Sequence, residues 1–435
     1  MSEMAIGFIG ILLFFILIML RMPIAFAMAL VGFLGFSLIT SVSTAMSMVA
    51  REIYSTFSSF SLSVIAMFCW MGFLAYYSGI GQRLYVFAYK MIGHWPGGLA
   101  IATQGACAIF GAICGSNTAT AATMGAIALP EMQKYKYDTS LATASVAAGG
   151  VLGVLIPPSV IFIVYGMATE QSIGELFMAG ILPGILLMLL YMLTIYIQTK
   201  RNPLLGPPGP KAGWKERIES LHGGLGEVLA IFLLSMGGLF AGWFTATEAG
   251  AVGAAGVLGV ALIGRTISWD GFKKSLFDTT RTTAMIMLLI TGSVIFGRLI
   301  SVSRIPFILA EWAGSLDLPA WAVMAIILFI HLILGCVIDA LAMILLTIPI
   351  FYPIAVDTLG YDPIWFGVII VLVVAMGVIT PPVGMNVYIL KGVVPDVPLE
   401  TIFKGIWPFL FAIIVCIAII MIFPGIATFL PGILR

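Results

Sequence analysis

The sequence predicts an all-α integral membrane protein made of two inverted repeats, each with a re-entrant helical hairpin and a broken helix. The first observation is composition: 61% of the 435 residues are hydrophobic and 9% are charged, which is more apolar surface than a soluble fold can bury. The second is a long-range repeat of glycine and proline positions. The third is a pair of polar, glycine-containing interruptions inside long apolar runs.

Composition also excludes several classes of protein. At about 20 residues per span, the chain has room for ten or so membrane crossings. A net charge of +1 without a basic tract gives no sign of nucleic-acid binding. The five cysteines form no C-x-x-C pair, which predicts neither a disulfide nor a metal-binding cysteine site. The first apolar run, 4–20, lacks a preceding positive region and a cleavage site, and we expect it to be a retained span.

The repeat is seen when the chain is shifted by 224 residues, which places GVLIPP (153–158) on GVITPP (377–382) without a gap. Further glycine, tyrosine and aspartate positions coincide under the same shift: Tyr137 and Asp138 with Tyr361 and Asp362, Gly111 with Gly335, and Gly32 and Gly35 with Gly256 and Gly259. Two homologous halves follow, 1–200 and 225–435. The Pro/Gly-rich, basic segment 200–224 between them is the predicted cytoplasmic linker.

Each half divides into scaffold helices (1–78 and 225–302) and a transport unit of hairpin plus broken helix (95–170 and 319–393). The predicted elements of the first half are 4–20, 24–42, a polar segment 44–58, 60–78, the hairpin 97–114 and 117–132, the broken span 138–170, and 174–199. Those of the second half are 226–243, 246–264, 284–302, the hairpin 319–356, the broken span 362–393, and 400–424.

Topology follows from the hairpins and from charge. If each hairpin enters and leaves on the same face, each half crosses five times, so the second half is inverted, as in many secondary transporters. The positive-inside rule puts the linker, with five basic residues, in the cytoplasm and both termini on the opposite face of the membrane. Ordinary two-span hairpins would give the same charge distribution, so charge supports an odd number of crossings but does not establish re-entrance.

The first interruption reads GAICGSNTATAATMG, 111–125. Serine, asparagine and threonine are modest helix formers and glycine is worse, and unwound backbone at membrane depth survives only where it is buried or lines a polar cavity. Hydroxyls and freed carbonyls are oxygen ligands suited to sodium, and the helix start at Asn117 favours an anion. The alternative is a tight turn between two close-packed helices.

The second interruption, GCVIDALAM (335–343), places Asp339 at the position of Gly115. A carboxylate inside an apolar run is costly and indicates a role at or beside a cation site. The alternative is a carboxyl group that caps the returning helix arm.

The two Gly/Pro-rich breaks are predicted to free carbonyl groups, because proline lacks an amide donor. Carbonyls near Gly153, Ile156 and Pro158 could face the first tip. Those near Gly377, Thr380 and Pro382 could face the second. The alternative is a simple proline kink in each span. Asn386, just past the second break, could reach a substrate or form an interhelical hydrogen bond.

Other polar residues have competing interpretations. Arg298 could meet a substrate carboxylate or extend to the membrane interface. Glu248 looks like part of a capped helix start, and His331 like a packed, hydrogen-bonded residue. The sequence contains no catalytic triad, P-loop or metal-spaced Cys/His cluster, so an enzyme is not expected.

The combined motifs resemble a known family: GSNTATAATMGAIALPEM, GVLIPPS, TATEAGAVG, DALAMILLTIPIFYPI and GVITPPVGMNVY. Together they are similar to the large membrane subunit (M subunit, DctM-like) of tripartite ATP-independent periplasmic (TRAP) transporters, over essentially the whole chain. The resemblance implies sodium-driven import of organic acids, mostly carboxylates and acidic sugars. It also implies an elevator-type fold, a periplasmic substrate-binding protein and a small four-helix membrane subunit as partners, and no cofactor beyond sodium.

The resemblance also assigns residues. The first sodium site would use Cys114, through its backbone carbonyl, with Ser116, Gly153, Ile156 and Pro158. The second would use Asp339, Gly377, Thr380 and Pro382. Substrate would lie near Ser116, Asn117, Thr118 and Asn386, with Arg298 as a further candidate. The location implied is the bacterial inner membrane, with both termini in the periplasm. Glu170, Ser172 and Glu248 would be docking points for the periplasmic binding protein. Two alternatives are a stand-alone sodium/organic-anion symporter of the divalent-anion type and a membrane channel or scaffold.

Overall fold

The computed structural model describes residues 2–220, 224–315 and 318–433, and within these ranges every regular element is helical. The first half contains ten α-helices: α1 (Glu3–Met19), α2 (Ile24–Ile39), α3 (Val42–Ser58), α4 (Ser63–Tyr77), α5 (Ile80–Ile92), α6 (Gly98–Cys114), α7 (Asn117–Lys134), α8 (Thr139–Leu155), α9 (Val160–Ala168) and α10 (Ile173–Arg201). A short 3₁₀ turn, Phe60–Leu62, leads into α4.

The second half begins after a 3₁₀ turn at Pro203–Leu205 and the linker helix α11 (Trp214–Ser220). Its helices are α12 (Gly226–Phe232), α13 (Gly238–Phe240), α14 (Ala246–Ile263), α15 (Trp269–Val302), α16 (Ile305–Ser315), α17 (Ala320–Gly335), α18 (Ala340–Tyr352), α19 (Pro363–Gly377), α20 (Met385–Val393), α21 (Leu399–Ile422) and α22 (Gly425–Ile433). A π-helical turn joins α12 to α13, and another extends α18 to Thr358.

The chain is a multi-pass membrane protein. Among the described residues, six helical stretches are long and apolar enough to cross a bilayer, and α8 with α9 forms a seventh that bends by 43° at its break. Six shorter apolar helical stretches accompany them: α1, α2, α6, α12–α13, α17 and α19. The predicted all-helical membrane class is therefore confirmed, while the inverted orientation of the halves stays a prediction.

The first arms of the two broken helices form the centre of the fold. In α8 every residue from Leu141 to Leu155 is buried, and in α19 every residue from Ile364 to Gly377 is buried. Each arm begins with a capping aspartate: Asp138 Oδ1 accepts the Leu141 N–H at 3.0 Å, and Asp362 Oδ1 accepts the Trp365 N–H at 2.9 Å. These aspartates are 224 residues apart, so they occupy the same position in both halves.

A second group of helices lies beside the hairpins. Helix α15 packs along α2 and α4, and α4 also packs along α14. The contact between α2 and α15 is backbone against backbone, because a Cβ atom added to Gly32 would lie 2.7 Å from the Ile295 carbonyl. These four helices fall in the predicted scaffold segments.

Several elements differ from the sequence-based expectation. Helix α15 starts at Trp269 rather than near 284, because its first four turns carry charged side chains that lower hydropathy without breaking the helix. Ser268 caps this start by accepting the Gly271 N–H at 3.0 Å. The connecting helices α5 and α16 were not predicted, and the polar segment 44–58 is the amphipathic helix α3.

Candidate functional site

The first hairpin breaks where the sequence is richest in glycine and hydroxyls. Helix α6 ends at Cys114 because Gly115 has φ +64°, a left-handed conformation that glycine adopts without steric cost. Ser116 then caps α7, its Oγ accepting the Ala119 N–H at 3.4 Å and lying 3.0 Å from Thr118 Oγ1. The break thus presents backbone and hydroxyl oxygens, with Ser116, Asn117 and Thr118 half-buried.

The first break of the broken helix meets this tip directly. A Cβ atom on Gly115 would lie 2.7 Å from the Pro158 carbonyl oxygen, and one on Gly153 would lie 2.8 Å from the Ser116 carbonyl oxygen. Helices α6 and α8 are also in contact at Gly111 and Gly153. A Cβ atom on Gly111 would lie 2.7 Å from the Gly153 Cα. The structure therefore brings together the tip and the break that the sequence paired.

The second hairpin breaks between Gly335 and Ala340. Asp339 is the N-cap of α18, and its Oδ1 accepts the Leu341 N–H at 3.0 Å. Capping was one of the two interpretations of this residue, and the structure shows it. Capping uses one carboxylate oxygen as an acceptor and leaves the formal charge at the tip, so a cation role is compatible with it.

The second break repeats the backbone contact of the first. A Cβ atom on Gly377 would lie 2.6 Å from the Gly335 carbonyl carbon, and Gly335 and Gly377 are the counterparts of Gly111 and Gly153. Thr380 Oγ1 donates to the Met376 carbonyl at 2.7 Å, so its lone pairs remain available as an acceptor. Pro382 is exposed, whereas Pro158 in the first break is buried, so the second break is the more open one.

Asn386 connects the two halves. Its Nδ2 donates to the Ala147 carbonyl on α8 at 3.0 Å, which is the interhelical hydrogen bond considered from the sequence. A Cβ atom on Gly150 would lie 2.8 Å from this Nδ2 and 3.1 Å from the Asn117 carbonyl oxygen. Asn386 Oδ1 is buried without a hydrogen-bond partner in the described part of the chain. Asn386 therefore links α20 to α8 beside the first tip, with its amide oxygen unpaired in the described part of the chain.

Two nearby residues were missed from the sequence. Thr120, in the first turn of α7, is fully buried, lies against the Cys114 thiol and would meet a Cβ atom on Gly153. Gly72 on α4 lies close to the Cys114 carbonyl oxygen, since a Cβ atom on Gly72 would be 2.6 Å from it. Thr120 stands within the quoted motif and could have been found there. Nothing in the sequence links Gly72 to residue 114.

Arg298 lies in a different environment from the one expected of a substrate ligand. Its Nε and Nη2 atoms bind Glu52 Oε1 on α3 at 3.0 and 2.8 Å. The Glu52 side chain is 9% exposed and that of Arg298 is 50% exposed. The guanidinium group thus pairs with a nearly buried carboxylate in the helix group of α3 and α15, and its assignment to the substrate site stays a prediction.

Replacing Arg298 by methionine is expected to lower the free energy of unfolding by about 2 kcal/mol, because it leaves the Glu52 carboxylate nearly buried and unpaired. Thermal unfolding of the purified protein in detergent would measure this as a lower Tm. Arg51→Met is the matched control, since Arg51 is 72% exposed and 3.7 Å from the same carboxylate oxygen, and we expect little change there. Equal Tm values for both variants would contradict the structural role of Arg298.

One of the three candidate docking residues, Ser172, lines a surface cavity. Glu170 and Ser172 are exposed in the turn between α9 and α10, where Ser172 caps α10. Glu248 forms a capping box with Thr245 at the start of α14, as the sequence suggested. A cavity of about 450 Å³ lies between these helix starts, lined by Gln171, Ser172, Glu175, Leu239, Ala246 and Pro431. Both halves thus contribute to one recess.

An all-helical membrane chain in which each hairpin tip meets a helix break has the architecture of a membrane transport protein. The family model of the tripartite ATP-independent periplasmic transporter, DctM component, matches residues 11–426. The chain therefore belongs to this family, as the motifs predicted, and is a TRAP transporter large permease.

Curated relatives agree with this membership. The C4-dicarboxylate TRAP transporter large permease protein DctM of Pseudomonas aeruginosa is 35% identical, covering 88% of this chain and 89% of that one. The sialic acid TRAP transporter large permease protein SiaM of Vibrio cholerae is 32% identical, covering 94% and 95%. The isethionate TRAP transporter permease protein DctMQ of Oleidesulfovibrio alaskensis is 32% identical over 96% of this chain and 65% of its own length.

A solved structure shares the fold. The crystal structure of the Alcanivorax borkumensis YdaH transporter, described as having an unusual topology, aligns with a TM-score of 0.62 over 88% of this chain and 89% of that chain. Its sequence identity is 13%, so the likeness concerns the fold alone.

Proposed function

We propose that this permease imports an organic anion by sodium-coupled secondary transport, with the hairpins and broken helices moving as an elevator against the remaining helices. The observation that carries the proposal is the contact between hairpin tip and helix break in each half. The same glycine pair makes it twice, Gly111 with Gly153 and Gly335 with Gly377. Unwound backbone in such places supplies ion and substrate sites in secondary transporters.

Sodium would be held at each break by hard oxygen donors, which suit a small cation. The first set comprises Cys114, Ser116, Gly153, Ile156 and Pro158, and the second Asp339, Gly377, Thr380 and Pro382. The first set is supported by the approach of Gly115 to the Pro158 carbonyl, and the second by the formal charge of Asp339. The described residues hold no cluster of three or more His, Cys, Asp or Glu suited to a metal.

The anion would lie between the tips, near Ser116, Asn117, Thr118 and Asn386. Helix α7 begins at Asn117 and helix α20 at Met385, and helix starts carry unpaired N–H groups and partial positive charge. Arg298 is paired with Glu52, so the positive ends of these two helices, and not the Arg298 guanidinium, would attract the anion. The named substrates of the three relatives, a C4-dicarboxylate, sialic acid and isethionate, are all organic anions.

The family implies partners, which we propose for this chain too: a small four-helix membrane subunit and a periplasmic binding protein that delivers the substrate. Docking would use Glu170, Ser172 and Glu248, of which Ser172 lines the recess between α10 and α14. The setting would be the bacterial inner membrane with both termini in the periplasm, consistent with the basic linker on the other face.

Uptake into proteoliposomes tests this proposal. The permease is reconstituted with its small subunit, and radiolabelled succinate, sialic acid or isethionate is offered with the cognate binding protein. We expect uptake of one of these anions to saturate and to need an inward sodium gradient. Uptake that is unchanged when potassium replaces sodium would reject the coupling.

Two control arms separate the alternatives. Uptake that persists without the binding protein would favour a stand-alone symporter. Flux that does not saturate, and that equilibrates without accumulation, would favour a channel.

A further inference from the structure

The returning arm of the second hairpin contains a carbonyl group that its own helix does not bond. Pro349 lies inside α18 and lacks an N–H, so the carbonyl four residues earlier, at Leu345, loses its helical donor. Ser293 Oγ on α15 donates to this carbonyl at 2.9 Å. Ser293 is 5% exposed, so the hydrogen bond is made away from solvent and joins α15 to the hairpin.

In the first half a hairpin carbonyl is also held by a neighbouring helix, by close packing instead of a hydrogen bond. Because Gly72 on α4 has no side chain, the Cys114 carbonyl oxygen can approach it closely. A Cβ atom on Gly72 would lie 2.6 Å from that oxygen. The first tip therefore packs against α4 through Cys114, the last residue of α6.

Helices α4 and α15 pack against each other, so the two contacts belong to one helix group. We propose that Ser293 and Gly72 are the positioning residues through which this group holds both hairpins in the state seen here. The inference rests on the proposed elevator function, in which the hairpins leave these contacts. Loss of either contact then favours the displaced state in both halves at once, because the hairpins and broken helices move together.

Cysteine labelling across the halves tests this inference in the full-length permease, reconstituted in nanodiscs with N-ethylmaleimide as the probe. In a background that keeps only Cys114, Ser293→Ala breaks the contact in the second half and Cys114 reports from the first. In a background that keeps only Cys336, Gly72→Ala breaks the contact in the first half and Cys336 reports from the second. Each labelling rate is expected to rise about fivefold, which corresponds to a shift of about 1 kcal/mol in the equilibrium between the two states.

Matched controls are available on the same helix group. Ser275→Ala removes a buried hydroxyl from α15 that bonds only within its helix, to the Phe272 carbonyl at 2.7 Å. Gly259→Ala adds a methyl group on α14 where nothing lies within 4 Å. Neither control is expected to change either labelling rate.

Unchanged labelling of both reporters would overturn the proposal, because neither substitution would then be felt in the opposite half. If Ser293→Ala fails to fold, Gly72→Ala read at Cys336 still tests the coupling between the halves. Labelling needs neither sodium nor substrate. Sodium-independent uptake together with the cross-half response would therefore reject the coupling to sodium and leave the positioning role standing.

Discussion

Asp339→Asn is expected to raise the sodium concentration for half-maximal uptake at least about tenfold. A tenfold change needs only about 1.4 kcal/mol, and a pair of unit charges 4 Å apart near a protein surface is worth about 4 kcal/mol. Asparagine caps helices as well as aspartate does, so the hydrogen bond to the Leu341 N–H can persist. The substitution therefore removes the charge and keeps the helix start.

Asp362→Asn is the matched control for this variant. Asp362 caps α19 through the Trp365 N–H at 2.9 Å, at the opposite end of that arm from the break. We expect its sodium dependence to match that of the unmodified protein. An unaltered sodium response in Asp339→Asn would show that Asp339 acts only as a cap.

Gly153→Ala is expected to reduce sodium-driven uptake at least about tenfold while the protein still inserts and folds. The added Cβ would collide with the Thr120 hydroxyl and lie 2.8 Å from the Ser116 carbonyl oxygen. Cores respond even to single added methyl groups, at about 1–3 kcal/mol, when neighbouring backbone must shift. Here the displaced atoms belong to the first proposed sodium site, so uptake should suffer before folding does.

Gly259→Ala provides the comparison, because its Cβ would meet nothing within 4 Å inside α14. Replacing glycine by alanine in a helix stabilises it by about 0.5–1 kcal/mol, so uptake should be retained. Initial uptake rates normalised to the folded fraction, measured by size-exclusion chromatography, would compare the two variants. Normal uptake by Gly153→Ala would contradict the placement of the first site.

The parts of the structure that were predicted correctly are those where helix-breaking residues mark the end of an element in the sequence. Glycine, proline and hydroxyl residues mark both hairpin tips and both breaks. The 224-residue shift identified Gly111 and Gly335 as counterparts, and in the structure they make equivalent contacts, with Gly153 and Gly377. The shift placed Asp339 opposite Gly115, whereas as an N-cap its structural counterpart is Ser116, one residue on. A short loop can absorb such an offset.

Long-range pairings could not be predicted in the same way. The Glu52–Arg298 ion pair joins residues 246 apart, and neither half has a pattern that selects the partner. Pro349 signals a free carbonyl at Leu345, but only the packing of α15 shows that Ser293 takes it. The polar start of α15 was missed because hydropathy reports membrane burial, while helix formation needs no apolar residues.

The central claim is that sodium is held by main-chain and hydroxyl oxygens, with Asp339, at the two breaks. A high-resolution density map of the reconstituted permease in sodium, compared with one in potassium, tests it most directly. We predict sodium density coordinated at Ser116 with Gly153 and at Asp339 with Thr380, lost from both places in potassium. Sodium-driven uptake by a protein whose map shows continuous helix, or no ion, at both breaks would contradict it.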